Sequence, residues 1–84
     1  MTKEEFIKDV FGIVDRWCKN FPELRRGQAV FNCVDDNYGT VARKVQFKDG
    51  VDCFYDDSLL DDFLDHCWEH MKDWNWDIDK NAIE

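Results

Sequence analysis

Thr40-Val41-Ala42-Arg43-Lys44-Val45-Gln46-Phe47-Lys48-Asp49-Gly50-Val51-Asp52-Cys53-Phe54-Tyr55 is the stretch that decides between two folds. With a helical period, Thr40 caps a short helix holding Val41, Ala42 and Val45. With a period of two, Val45 and Phe47 alternate on one arm and Val51, Cys53 and Tyr55 on the other. Lys48-Asp49-Gly50 then forms a glycine-containing hairpin turn. The first reading makes the chain all-α; the second makes it α+β, with a small hairpin near 45–55. Composition does not separate them.

The flanking segments are plainer. Thr2-Lys3-Glu4-Glu5 has the spacing of a capping box and predicts a helix start. Phe6, Val10, Ile13, Val14, Trp17 and Cys18 follow on one helical face, with Lys8, Asp9, Asp15, Arg16 and Lys19 opposite. Asn20-Phe21-Pro22-Glu23 predicts the end of that helix and the start of the next, with Asn20 as cap and Pro22 in the first turn. Leu24, Gly27, Phe31, Val34 and Tyr38 recur at 3-4-3-4 spacing, and Gly39 suits a helix stop. Downstream, Asp57 or Ser58 is expected to cap a last helix with Leu60, Phe63, Leu64, Cys67, Met71 and Trp74 on its apolar face. The expected architecture is therefore a compact bundle of three main helices and a short one. Residues 1–74 form one domain and 75–84 a C-terminal tail. The expected core is Phe6, Val10, Ile13, Trp17, Leu24, Phe31, Val34, Leu60, Phe63, Leu64, Cys67 and Met71.

Charge is distributed unevenly. From Asp49 to Asp79 there are eleven acidic side chains and one base, Lys72, whereas the first 48 residues carry nine bases and seven acids. Most of the net charge of -8 thus lies in the last third of the chain. Such a field repels nucleic acid and attracts basic surfaces. Arg25, Arg26, Arg43 and Lys44 make only a small basic patch, so direct nucleic-acid binding is not expected. With no run of 18 apolar residues and no signal-peptide pattern at the N-terminus, a cytoplasmic protein is expected. Its four cysteines, Cys18, Cys33, Cys53 and Cys67, should then be core thiols.

Chemistry-bearing groups are sparse. No Ser–His–Asp arrangement, P-loop or dinucleotide fingerprint is present, so no catalytic residues and no cofactor are assigned. His66 and His70 are i and i+4 on the last helix and could grip a metal, with Asp62 and Asp73 nearby as oxygen donors. A closed site needs a further ligand from another element, and the sequence marks none; surface histidines beside acids explain the pattern equally well. Asp77-Ile78-Asp79-Lys80-Asn81 imitates the opening of a calcium loop but lacks the glycine and the final acid. Phe54 and Tyr55, ringed by acids, read either as anchors of a recognition loop or as plugs of the core beside capping aspartates.

Arg26-Gly27-Gln28-Ala29 with Asn32, then Asp52-Cys53-Phe54-Tyr55-Asp56-Asp57 and Phe63-Leu64, resembles a pattern of small bacterial and phage proteins, R-x-G-Q-x-x-x-N … D-x-F-Y-x-D … F-L. The resemblance spans roughly residues 21–70 and brings no activity with it. It implies a short helix before the D-x-F-Y turn, favouring helix over hairpin at Thr40–Phe47, and a phage-derived accessory role. This chain has Cys53 where the pattern often has proline. Gln28 and Asn32 are expected to hold the Asp52–Asp57 loop through their amides. The functional expectation is a non-catalytic binding protein presenting Asp56, Asp57, Asp61, Asp62, Asp65, Glu69 and Asp73, with Phe54 and Tyr55, to a basic, nucleic-acid-binding partner. A metal-binding module built on His66 and His70, or an oligomer burying Trp68, Trp74 and Trp76, are the alternatives.

Overall fold

Helix α1 runs from Lys3 to Asn20 and starts as its sequence predicts. Thr2 Oγ1 accepts the Glu5 N–H at 3.1 Å, and Glu5 Oε1 accepts the Thr2 N–H at 2.9 Å. Caps of this kind are worth about 1 kcal/mol. The helix buries Phe6, Val10 and Val14 completely, while Ile13, Trp17 and Cys18 pack half-buried at its edge. The structure is a computed structural model that describes residues 1–72. Asp73, Trp74, Trp76, the 77–81 segment and the 75–84 tail lie outside the described residues.

The second helix starts later than the sequence suggests. Helix α2 is Arg26–Asn37, and Asn20 and Pro22 do not open it. Phe21 precedes proline, is held out of the helical region at φ -130 and ψ 80, and closes α1 instead. The chain then turns, with the Leu24 N–H bonded to Phe21 O at 3.0 Å. Helix α2 buries Gly27, Ala29, Val30, Phe31, Cys33 and Val34, more than one stripe. It is the central element, packed by α1 on one side and by the 41–59 segment on another. A helix covered on several sides is apolar most of the way round. That explains why Ala29, Val30 and Cys33 are core residues outside the 3-4-3-4 stripe.

The ambiguous stretch is helical, and the hairpin does not form. Helix α3 (Val41–Lys44) runs directly into a single wide π turn at Val45–Asp49, and there is no strand among the described residues. Thr40 flanks α3 without a side-chain cap bond. Val41, Ala42 and Val45 point into the core, whereas Phe47 is 80% exposed. A strand would have placed Val45 and Phe47 on the same face. Gly50, at φ 72, ends the turn, and its N–H returns to Val45 O. The glycine that looked like a hairpin corner is a helix terminator.

Cys53 then enters the core, and a 3-10 turn at Asp57–Leu59 leads into helix α4, Leu60–Met71. Neither Asp57 nor Ser58 caps α4, whose N-cap Leu59 makes no side-chain cap bond; Asp56 caps the 3-10 turn instead, its Oδ1 accepting the Ser58 N–H at 3.0 Å and the Ser58 hydroxyl at 2.6 Å. Asp57 is drawn elsewhere. Helix α4 buries Phe63, Leu64, Cys67 and Met71. Two aromatic clusters join the elements. Phe6 has Tyr38 edge-on at 5.0 Å and Trp68 stacked at 5.9 Å. Phe31 meets Phe54 at 5.5 Å and Phe63 at 5.7 Å. Such pairs add about 0.5–1.5 kcal/mol to the burial of the rings. Of the expected core, Ile13, Trp17, Leu24 and Leu60 sit half-buried at its margin.

Candidate functional site

The residues of the R-x-G-Q and D-x-F-Y segments come together at the start of α2, with different partners from those expected. Asp57 Oδ1 accepts the Gly27 N–H at 3.1 Å and faces Arg25 Nη1 at 3.4 Å. Arg25, the N-cap residue, has no capping side chain of its own, so a carboxylate from 30 residues downstream supplies one. Arg25 also donates to Phe54 O, and the Cys53 thiol donates to Gly27 O at 3.2 Å. A Cβ on Gly27 would stand 2.2 Å from Cys53 O, so only glycine permits this approach.

Gln28 and Asn32 are half-buried and make none of these bonds. The loop is instead held by the backbone of Gly27, by Arg25, and by Gln46, whose amide donates to Asp52 Oδ2 at 3.0 Å. Asp52 Oδ1 also accepts the Phe54 N–H at 3.0 Å, an Asx turn. The working arginine is Arg25, two residues before Gly27. Arg26 turns away, pairing with Asp15 at 3.0 Å and lying 4.8 Å over the Phe11 ring. The R-x-G spacing was the signal that would have picked Arg25.

The acidic residues divide into groups. Asp56 and Asp57 hold turns and helix ends, as above. Asp65 pairs with Lys3 at 2.7 Å and Glu69 with Lys72 at 2.6 Å, in both cases with side chains about half exposed. The Lys72 bond and charge hold the Glu69 carboxyl below its ordinary range. Asp61 and Asp62, in the first turn of α4, are exposed, and no ion pair engages either among the described residues. Their position favours the helix dipole without neutralising the charge.

Phe54 and Tyr55 part company. Phe54 packs half-buried against Phe31, while Tyr55 is 74% exposed. Both line an open cleft of about 210 Å³ with Phe31, Arg43, Gln46 and Phe47. Phe47 was not singled out from the sequence as a functional residue. Its signal was phase: it falls off the face set by Val41, Ala42 and Val45. Single π turns are rare and recur at functional sites.

His66 and His70 meet one partner that the sequence did not mark. His66 Nδ1 lies 3.0 Å and His70 Nε2 2.9 Å from Asp49 Oδ2, at the end of the π turn. The His70 bond, then the His66 bond, hold the Asp49 carboxyl below its ordinary range. Asp62 is not among these contacts. No group of three or more His, Cys, Asp or Glu among the described residues is arranged to hold a metal ion. Cys67, beside His66 in sequence, is fully buried.

All four cysteines are free. Burial pushes the Cys33 thiol up to about 11 and the Cys53 thiol to about 12, and raises Cys67 as well. Buried thiols of this kind are poor nucleophiles. No helix among the described residues is long and apolar enough to cross a membrane. Compared with family models, with curated proteins and with solved structures, the chain matches none.

Proposed function

We propose that this is a non-catalytic binding protein that presents the acidic face of α4 to a basic protein surface, such as that of a nucleic-acid-binding protein. The observation that carries the reading is the state of four carboxylates. Among the described residues Asp61 and Asp62 are exposed and unpaired, and Asp65 and Glu69 are held by half-exposed lysine pairs. Exposed pairs of this type are worth about 0–1 kcal/mol, so a partner's lysine or arginine can replace Lys3 or Lys72 at little cost. Successive turns of the helix repeat the charge at about 5.4 Å intervals. Carboxylates so spaced can stand in for phosphates.

The proposed surface leaves out Asp56, Asp57 and Phe54. Asp56 and Asp57 act inside the molecule, as cap and cross-link, and Phe54 lines the core side of the cleft. A phage-derived accessory or inhibitor role belongs to the same proposal, supported by the resemblance of the 21–70 segment. The test is retention of a partner on the immobilised protein as salt is raised. Contacts made by exposed charges weaken steeply with ionic strength, whereas salt-insensitive retention would refute the reading.

A further inference from the structure

Four of the six residues that line the open cleft are aromatic: Phe31, Phe47, Phe54 and Tyr55, with Arg43 and Gln46 completing it. The rings are turned across one another. Phe31 meets Phe54 at 77°, and Phe54 meets Tyr55 at 70° with centroids 4.9 Å apart. Phe31 and Phe54 are fixed by the core, while Phe47 and Tyr55 stand 80% and 74% exposed. Crossed rings around a small open volume form a cage, and the π face of an aromatic ring attracts cations. We propose that the cleft is a binding site for a small organic cation of the quaternary ammonium class.

The charges fixed at the cleft favour a cation. Asp52 is tied to two of the lining residues: its Oδ2 accepts the Gln46 amide at 3.0 Å, and its Oδ1 accepts the Phe54 N–H at 3.0 Å. Both donors are neutral, and no ion pair engages Asp52 among the described residues. Arg43, the one charged residue of the lining, is met by Asp35 at 3.3 Å. Asp49, from the same π turn as Phe47, is held by His66 and His70 on α4 and does not line the cleft. The balance left beside the rings is one uncompensated carboxylate.

The aromatic walls select the kind of cation. A primary ammonium is strongly hydrated and carries three donors that need acceptors. A quaternary ammonium has no N–H and presents methyl groups, so rings can take the place of its water. The cleft, at about 210 Å³, is larger than the cavity of about 150 Å³ that holds a benzene ring, which leaves room for a trimethylammonium head. The inference stands apart from the acidic-face proposal, since it uses none of Asp61, Asp62, Asp65 or Glu69.

Calorimetric titration of the full chain with choline decides it, run beside neohexyl alcohol, the uncharged isostere in which carbon replaces the nitrogen. The expected result is saturable binding of choline below about 10 mM, with the isostere weaker by about fivefold or more. Phe47→Leu and Tyr55→Leu keep the apolar bulk and remove the ring; each should weaken choline by about fivefold with helical circular dichroism unchanged. Asp52→Asn, whose side-chain oxygen can still accept the Phe54 N–H, should weaken choline and leave the isostere as it was. No saturable binding of choline, equal affinity for choline and the isostere, or indifference to both ring substitutions overturns the proposal.

Discussion

Asp57 caps a helix far upstream of it: its Oδ1 accepts the N–H of Gly27, 30 residues earlier, at 3.1 Å in the first turn of α2. The bond requires the 53–57 segment to lie directly on the Gly27 backbone. Gly27→Ala would force a Cβ to within 2.2 Å of Cys53 O and 2.5 Å of Asp57 Oδ1, and the first of these is backbone that cannot rotate away. Crowding and loss of the cap together should cost about 2–4 kcal/mol. Asp57→Ala, which loses the cap without the crowding, should cost about 1–2 kcal/mol. Urea unfolding ranks the two, and a tolerated Gly27→Ala would show that the segments do not touch.

Gly12 gives the opposite sign. It lies exposed inside α1, and a Cβ there meets nothing within 4 Å. Gly12→Ala should therefore stabilise the protein by about 0.5–1 kcal/mol, through helix propensity alone. The thermal midpoint should rise; a fall would mean that the exposed face of α1 is covered by something.

The thiols should react in two classes. Cys18 is half-buried at the end of α1, while Cys33, Cys53 and Cys67 are fully buried, with thiols that burial holds in the protonated form. A thiol reagent added to the native protein at neutral pH should modify Cys18 alone on a short timescale, and all four cysteines after denaturation. Rapid native modification of Cys53 would place it outside the core.

Acid should loosen the contact between the π turn and α4. The bonds from His70 and His66 lower the Asp49 carboxyl in the folded state. A lowered carboxyl contributes stability that is present above its unfolded value of about 3.9 and is lost as pH falls through the folded value. The stability difference between the wild type and Asp49→Asn should accordingly stand near pH 5 and shrink below about pH 4. Urea midpoints measured across that range check it; a difference that does not change with pH would contradict the assignment.

How legible all this was varies along the chain. The capping box at Thr2 and Glu5 is local, and it reads directly. The apolar period of α1 and α4 also reads directly, because each has one buried face. The start of α2 does not, since its cap arrives from Asp57 and no local pattern can show a partner 30 residues away. Gly50 was ambiguous for a physical reason: a left-handed glycine ends a helix as readily as it turns a hairpin. What separated them was the tertiary burial of Val41, Ala42 and Val45 with Phe47 outside. The amides of Gln28 and Asn32 had the right chemistry for the loop, but the Gly27 backbone was nearer. The acidic excess was visible from composition, yet only the fold tells Asp57, committed to α2, from Asp61 and Asp62.

That last distinction is where the functional account is most exposed. Two columns settle it, one carrying the wild-type chain and one carrying the Asp61→Asn, Asp62→Asn, Asp65→Asn, Glu69→Gln variant, with equal helicity confirmed for both. A cell extract is passed over each at low ionic strength. The account predicts basic proteins retained by the wild type, released by moderate salt and absent from the neutralised column. The same proteins on both columns would contradict it.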